Sequence, residues 1–133
     1  MSVNHFALET RKLYSQLTRY LGATCLVLIA LIHFHLWLQG YKNIPVVGIL
    51  FLLNSITATT LAVVIFVLPK RLVGLLGALF SLATLLSLIE SINFGLFGFK
   101  DSSRAPFVAD SIVVEVVASI CLILWWRMTP SRR

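Results

Sequence analysis

Four apolar stretches, each long enough to cross a bilayer, take up most of this chain of 133 residues. They cover residues 20–38, 45–68, 72–93 and 105–126. Each supplies roughly the 20 residues that a helix needs to cross ~30 Å of hydrocarbon. Only 12% of the residues are charged, against about 25% in a typical soluble domain. The sequence therefore predicts an all-α integral membrane protein, a four-transmembrane-helix bundle in one domain, 1–133.

Basic residues flank the spans unevenly, and this predicts the orientation of the bundle. One side of the membrane would hold Arg11, Lys12, Arg19, Lys70, Arg71, Arg127, Arg132 and Arg133. The other side would hold Lys42, Lys100 and Arg104. Because cytoplasmic loops carry an excess of Lys and Arg, this asymmetry predicts a multi-pass protein of a bacterial inner membrane with both termini in the cytoplasm. Orientation accounts for the net charge of +6, so the charge does not indicate a nucleic-acid partner.

Residues 1–19, before the first span, have an amphipathic pattern. Phe6, Leu13, Leu17 and Leu21 recur at helical spacing, with most charges elsewhere around the helix. This pattern indicates a cytoplasmic extension of the first span or a helix lying on anionic lipid. A docking helix for a partner subunit is the alternative. No small-x-small cleavage site follows the first apolar run, so we expect the span to be retained.

Small residues follow one another at three- and four-residue spacing in the third span. Gly74, Gly77, Ala78 and Ser81 are the core of this stripe. Small side chains let helix backbones approach closely in a membrane. The stripe predicts helix packing, either inside the bundle or against another subunit.

Polar residues within the spans lie mostly toward the outer face of the membrane. The predicted cluster comprises His33, His35, Asn54, Glu90, Asp110 and Glu115. Ionisable groups in hydrocarbon are costly, so they usually face the bundle interior, pair with one another or line a site. We expect these residues to bind a ligand or a proton, or to pair between subunits. Glu90 and Asp110 lie near span ends, where reaching water or pairing with a loop cation is the simpler interpretation.

Glu115 lies about ten residues into the fourth span, near the bilayer centre. A carboxylate without a partner is improbable there, so the group is either protonated or paired with His33, His35 or a bound cation. A neutral Glu115 could be hydrogen-bonded to Asn54 or to a hydroxyl group. The functional alternatives are a proton relay and a ligand to an ion or a cofactor.

His33 and His35 are two residues apart, so they point about 200° apart on a helix, and only one can face the interior. A metal site needs three or four convergent ligands, which this spacing does not require. A haem would need an axial histidine, and a quinone pocket would use a histidine and a carboxylate between aromatic walls. The sequence leaves metal, haem and quinone open and indicates no cofactor with certainty.

The two outer loops resemble each other. Gly40-Tyr41-Lys42 matches Gly98-Phe99-Lys100, and each loop ends at a proline. Nine residues after these prolines, Pro45 and Pro106, stand Asn54 and Glu115 respectively. Two repeated hairpins would share one orientation, with a two-fold axis along the membrane normal. Chance similarity between interfacial loops is the competing explanation.

Two cysteines, Cys25 and Cys121, both fall within spans, where free cysteine usually acts as a small apolar packing residue. A disulfide would require the first and fourth spans to touch at that depth.

The pattern His33-x-His35-x-Trp37, Gly40-Tyr41, Ile44-Pro45, Gly48 and Leu50-Phe51-Leu52-Leu53-Asn54 resembles a family of small, uncharacterised four-span membrane proteins of actinobacteria. The segment 95–99, Gly-Leu-Phe-Gly-Phe, is similar too. The resemblance covers the first span through the last loop. It implies the topology and a bacterial source, and it implies no activity.

Three functions fit these observations. The leading hypothesis is a non-enzymatic accessory or structural subunit of a larger bacterial membrane complex of the energy-transducing kind, whose partners are the lipid bilayer and other membrane subunits. The second is a small homo-oligomeric transporter or channel, coupled to protons or cations and centred on Glu115. The third is a haem- or quinone-binding protein. The sequence contains no P-loop, GxSxG, CxxC or HExxH motif, so nothing indicates an enzyme of the soluble type.

Overall fold

The computed structural model describes residues 2–130, and the side chains from residue 4 onward. Its four long helices are α1 (Ser2–Gln39), α2 (Val47–Val67), α3 (Arg71–Asn93) and α4 (Val108–Met128). All four are long and apolar enough to cross a membrane. The predicted all-α four-helix bundle is confirmed, and the chain is a multi-pass membrane protein by the length and composition of its helices.

Helix α1 joins the predicted segment 1–19 to the first span without a break. Its 38 residues correspond to about 57 Å of helix, nearly twice the ~30 Å thickness of the hydrocarbon. The amphipathic segment is therefore an extension of the span. Met1, Arg132 and Arg133 lie outside the described residues.

Helices α2 and α4 both begin two residues after a loop proline, later than the predicted starts at 45 and 105. Val46 has φ 63° and Phe107 has φ 65°. Positive φ values are costly for residues with a side chain, and here they form the turn between each proline and the helix that follows. Pro45 and Pro106 therefore end the loops and do not open the first helical turns.

Neighbouring helices pack with unequal closeness around the bundle. Helix α1 packs closely against α2 and α4, and α3 packs closely against α4. Helices α2 and α3 follow one another through a short turn, yet they pack least closely of the four neighbouring pairs. The bundle thus has three tight seams and one loose seam.

The α3–α4 seam is tight because α3 presents small residues to large ones on α4. A Cβ atom added to Gly74 would lie 2.8 Å from the Trp125 ring, and one added to Gly77 would lie 2.9 Å from Leu122 Cδ1. Gly74, Gly77, Ala78 and Ser81 are all buried. The predicted stripe of small residues thus lies inside the bundle.

Arg19 binds the C-terminal end of α2 and so joins it to α1. Its guanidinium donates from Nε to the Ile65 carbonyl oxygen at 2.9 Å and from NH2 to the Phe66 carbonyl oxygen at 2.7 Å. The last four carbonyl groups of a helix have no partner within that helix, and the dipole favours a cation there. Arg19 is 7% exposed and therefore acts as an internal cap.

Cys25 and Cys121 are both buried free thiols. They lie on α1 and α4, which do touch at this depth, since a Cβ atom added to Gly22 would be 3.5 Å from Cys121 Cβ.

Candidate intramembrane binding site

A cavity of about 330 Å³ lies in the half of the bundle opposite the termini, chiefly between α2 and α3. Its walls are mostly apolar: Leu36, Val47, Leu50, Phe51, Leu53, Phe80, Ala83, Leu88, Leu96, Phe99, Phe107 and Val108. Its polar lining consists of His33, Asn54, Thr57, Thr84, Ser87, Ser91, Asp101 and Ser111. An apolar pocket with a few convergent polar groups is the usual form of a small-molecule site.

The cavity opens sideways, through the loose seam between α2 and α3. Leu50 and Leu53 on α2 are 38% and 52% exposed, although both line the cavity. Ala83 and Ser87 on α3 line the cavity and are also exposed. In a bilayer, this opening faces the lipid chains.

The two outer loops cover the end of the cavity. The Tyr41 hydroxyl donates to Asp101 across the loops, at 3.4 Å from Oδ2. The Tyr41 ring stacks on Phe51 with centroids 4.6 Å apart. Burial raises the pKa of the Tyr41 phenol, and the Asp101 carboxylate raises it further. The phenol therefore stays protonated, and remains a donor, at neutral pH.

His33 faces the cavity, whereas His35 faces outward. His33 is 9% exposed, lines the cavity and packs against the Phe51 ring with centroids 5.0 Å apart. Its Nδ1 lies 2.9 Å from the Ile29 carbonyl oxygen. A carbonyl oxygen only accepts, so Nδ1 carries the proton, and Nε2 of the neutral ring is an acceptor. His35 is exposed and contacts Phe107.

Asn54 reaches across the cavity floor from α2 to α3. Its Nδ2 donates to Thr84 Oγ1 at 2.9 Å, and the Thr84 hydroxyl donates to the Phe80 carbonyl oxygen at 3.0 Å. Because the Thr84 proton is already used, Thr84 can only accept from Asn54, which fixes the orientation of the amide. Asn54 Oδ1 is buried and has no partner among the described residues.

Glu115 is fully buried on α4, with 0% of its surface exposed. Neither carboxyl oxygen has a hydrogen-bond partner within the part of the chain that the structure describes. Of the six residues in the predicted polar cluster, the structure buries or half-buries His33, Asn54 and Glu115 and leaves His35, Glu90 and Asp110 exposed.

No three His, Cys, Asp or Glu side chains between residues 4 and 130 come together as metal ligands. For a haem, His33 is the inward-facing axial candidate, because its Nε2 is the nitrogen left free. The two outer loops have one backbone feature in common. Gly40 and Gly98 have positive φ, as do the residues after the two loop prolines.

Sequence reasoning missed four residues that shape the site: Phe51, Thr84, Ser91 and Ser111. The signal for Thr84 and Ser91 was present, since both continue the small-residue spacing of α3. Comparison with known protein families, with curated proteins and with solved structures finds no match to this chain.

Proposed function

We propose that this protein binds a small lipid-soluble molecule with a hydroxyl-bearing head, of the quinol class, in the cavity between α2 and α3. The cavity itself supports the proposal most strongly. Its ~330 Å³ lies at the lower end of the 300–1,000 Å³ typical of ligand sites. The lateral opening suits a molecule that arrives dissolved in lipid.

His33 would select the head group through its acceptor nitrogen. With Nδ1 donating to Ile29, Nε2 of the neutral ring accepts, and a phenolic or alcoholic hydroxyl is the partner that it requires. The Ser91 and Ser111 hydroxyls, buried on the lining, can donate to or accept from a second oxygen of the head. The apolar tail would leave between α2 and α3.

Replacing His33 by alanine should weaken the binding of a short-chain hydroquinone about tenfold, because losing one hydrogen bond in an apolar site costs about 1.4 kcal/mol. We would measure equilibrium binding to the purified protein in lipid nanodiscs, by quenching of tryptophan fluorescence. His35→Ala is the matched control and should leave the affinity unchanged. Equal affinities for both variants, or a wild-type protein that binds no hydroquinone, would contradict the proposal. A Soret band in the purified protein would indicate instead that the bound ligand is a haem.

We further propose that the protein lies in a bacterial inner membrane with both termini in the cytoplasm. Arg11, Lys70, Arg71 and Arg127 belong to one end of the bundle, against Lys42, Lys100 and Arg104 at the other. A membrane-impermeant maleimide added to intact cells should label Arg104→Cys and spare Lys70→Cys. The reverse pattern would invert the orientation.

An accessory subunit of a larger membrane complex is the second candidate function. The inner part of α1 favours it, because it extends beyond the end of α2 with Phe6, Leu13 and Leu17 each more than half exposed. Mild-detergent purification from the native membrane, followed by mass spectrometry, should then recover large subunits in fixed ratio. A lone homo-oligomer would instead favour a small transporter or channel.

A further inference from the structure

Three of the four buried polar atoms without a partner in the described chain are acceptor oxygens, and they belong to only two residues. They are Asn54 Oδ1 and the two carboxyl oxygens of Glu115. A buried oxygen without a hydrogen-bond partner destabilises the fold, and a charged one does so more strongly. Orphan oxygens concentrated in two side chains need a common explanation.

The register of the α3–α4 seam places both residues at one level. Gly77 of α3 lies against Leu122 of α4. Seven residues from each, in the outward direction, stand Thr84 and Glu115. Seven residues are two helical turns, which return a side chain to the same face. This register places Glu115 at the same level of the bundle as Thr84, which already accepts a hydrogen bond from Asn54 at 2.9 Å.

Hydroxyl oxygens complete this layer, which we call the oxygen layer and define as Asn54, Ser81, Thr84 and Glu115. The Thr84 hydroxyl donates to Phe80 and accepts from Asn54, so one lone pair of its oxygen stays free. Ser81 lies one turn inward, is fully buried, and donates to the Gly77 carbonyl oxygen. In this layer both hydroxyl groups already donate to backbone carbonyl oxygens, so the oxygen acceptors outnumber the free donors, of which the second N–H of the Asn54 amide is one.

Buried oxygen acceptors that have no hydrogen-bond partner suit a hard cation, and the charge of the layer limits the choice of ion. Glu115 is its only ionisable member. A monovalent cation would therefore make the site neutral, whereas a divalent one would leave a net charge in hydrocarbon. We propose that Glu115, Asn54 and Thr84 bind one monovalent metal cation, with Na⁺ as the first candidate, in competition with a proton.

Few other titratable groups face this layer. On α1, His33 lies nearer the outer loops than this layer does, and Cys25 lies nearer the termini. On α4, Cys121 lies about two turns nearer the termini than Glu115. Between Arg71 and Glu90, at its two ends, α3 has no titratable group, and α2 has none along its length. Competition between cation and proton therefore centres on Glu115.

Dicyclohexylcarbodiimide provides the test, because this apolar reagent reacts with protonated carboxyl groups inside membranes. The full-length protein in nanodiscs would be treated at fixed pH in sodium chloride or choline chloride, and modification of Glu115 would be followed by mass spectrometry. With Na⁺ at about ten times its Kd, the fraction of sites without the cation, and hence the rate, should fall about tenfold. The exposed carboxyls Glu90 and Asp110 are internal controls and should show no sodium effect.

Two variants assign the ligands. Asn54→Leu and the near-isosteric Thr84→Val should keep Glu115 reactive and lose most of the protection by sodium. Equal rates in sodium, lithium, potassium and choline chloride would overturn the proposal and leave a proton site. A Glu115 that does not react in choline chloride would overturn it as well. The comparison of sodium chloride with choline chloride uses the wild-type protein, so its result does not depend on whether either variant folds.

Discussion

Replacing Gly77 by leucine should prevent the bundle from assembling or lower its free energy of unfolding by at least about 3 kcal/mol. A Cβ atom alone would stand 2.9 Å from Leu122 Cδ1 and 3.3 Å from Ile65 Cδ1. A whole leucine side chain must therefore separate α3 from both α4 and α2. The neighbouring side chains are fully buried and have nowhere to move. Unfolding by sodium dodecyl sulfate, followed by tryptophan fluorescence, measures the change.

Ala83→Leu is the matched control, because Ala83 lies on the same helix and is exposed at the cavity mouth. The same increase in volume there should change the free energy of unfolding by less than about 0.5 kcal/mol. Comparable losses for the two variants would show that the α3–α4 seam does not have the close packing described above. The loss in the free energy of unfolding for Gly77→Ala should lie between the losses for Gly77→Leu and Ala83→Leu.

Replacing Arg19 by methionine should lower the free energy of unfolding by about 3 kcal/mol, since hydrogen bonds to charged groups contribute about 1.5–3 kcal/mol each. The change removes both bonds to the Ile65 and Phe66 carbonyl oxygens and leaves the end of α2 uncapped. Methionine retains much of the apolar length of the side chain, so the loss reports mainly on the guanidinium. The same detergent-unfolding measurement applies.

Arg11→Met is the control for Arg19. Arg11 makes a single bond of 3.3 Å to the Met128 carbonyl oxygen, and it is exposed. Its replacement should have an effect below about 1 kcal/mol. Arg19→Lys should recover part of the stability, because an ammonium can reach one carbonyl but cannot reproduce the planar fork. An unchanged stability for Arg19→Met would contradict the capping role.

The helices could be predicted from sequence because uninterrupted apolar length is a local property. The stripe around Gly77 was equally readable, since its spacing follows from helix geometry. The helix starts could not be predicted, because Val46 and Phe107 adopt positive φ values that such residues disfavour. Tertiary packing imposes them.

The site was predictable only in part, for the same reason. The spacing of His33 and His35 showed that one would face inward, but only the position of α2, with Phe51, decides which. Arg19 read as an interfacial charge, because nothing local shows that the end of α2 lies within its reach. Asn54 and Glu115 stood out as costly polar residues in hydrocarbon. Thr84, which accepts the hydrogen bond from Asn54, did not.

The unequal seams give the bundle a mechanical direction. Three pairs of neighbouring helices are closely packed and resist separation. The deformation that needs the least energy is therefore one in which α2 and α3 move apart while their contacts with α1 and α4 are kept. The bilayer presses on the outer faces of these same two helices. Lateral pressure from the acyl chains therefore acts directly on the cavity mouth, and the thickness and order of the surrounding lipid become part of what sets its width.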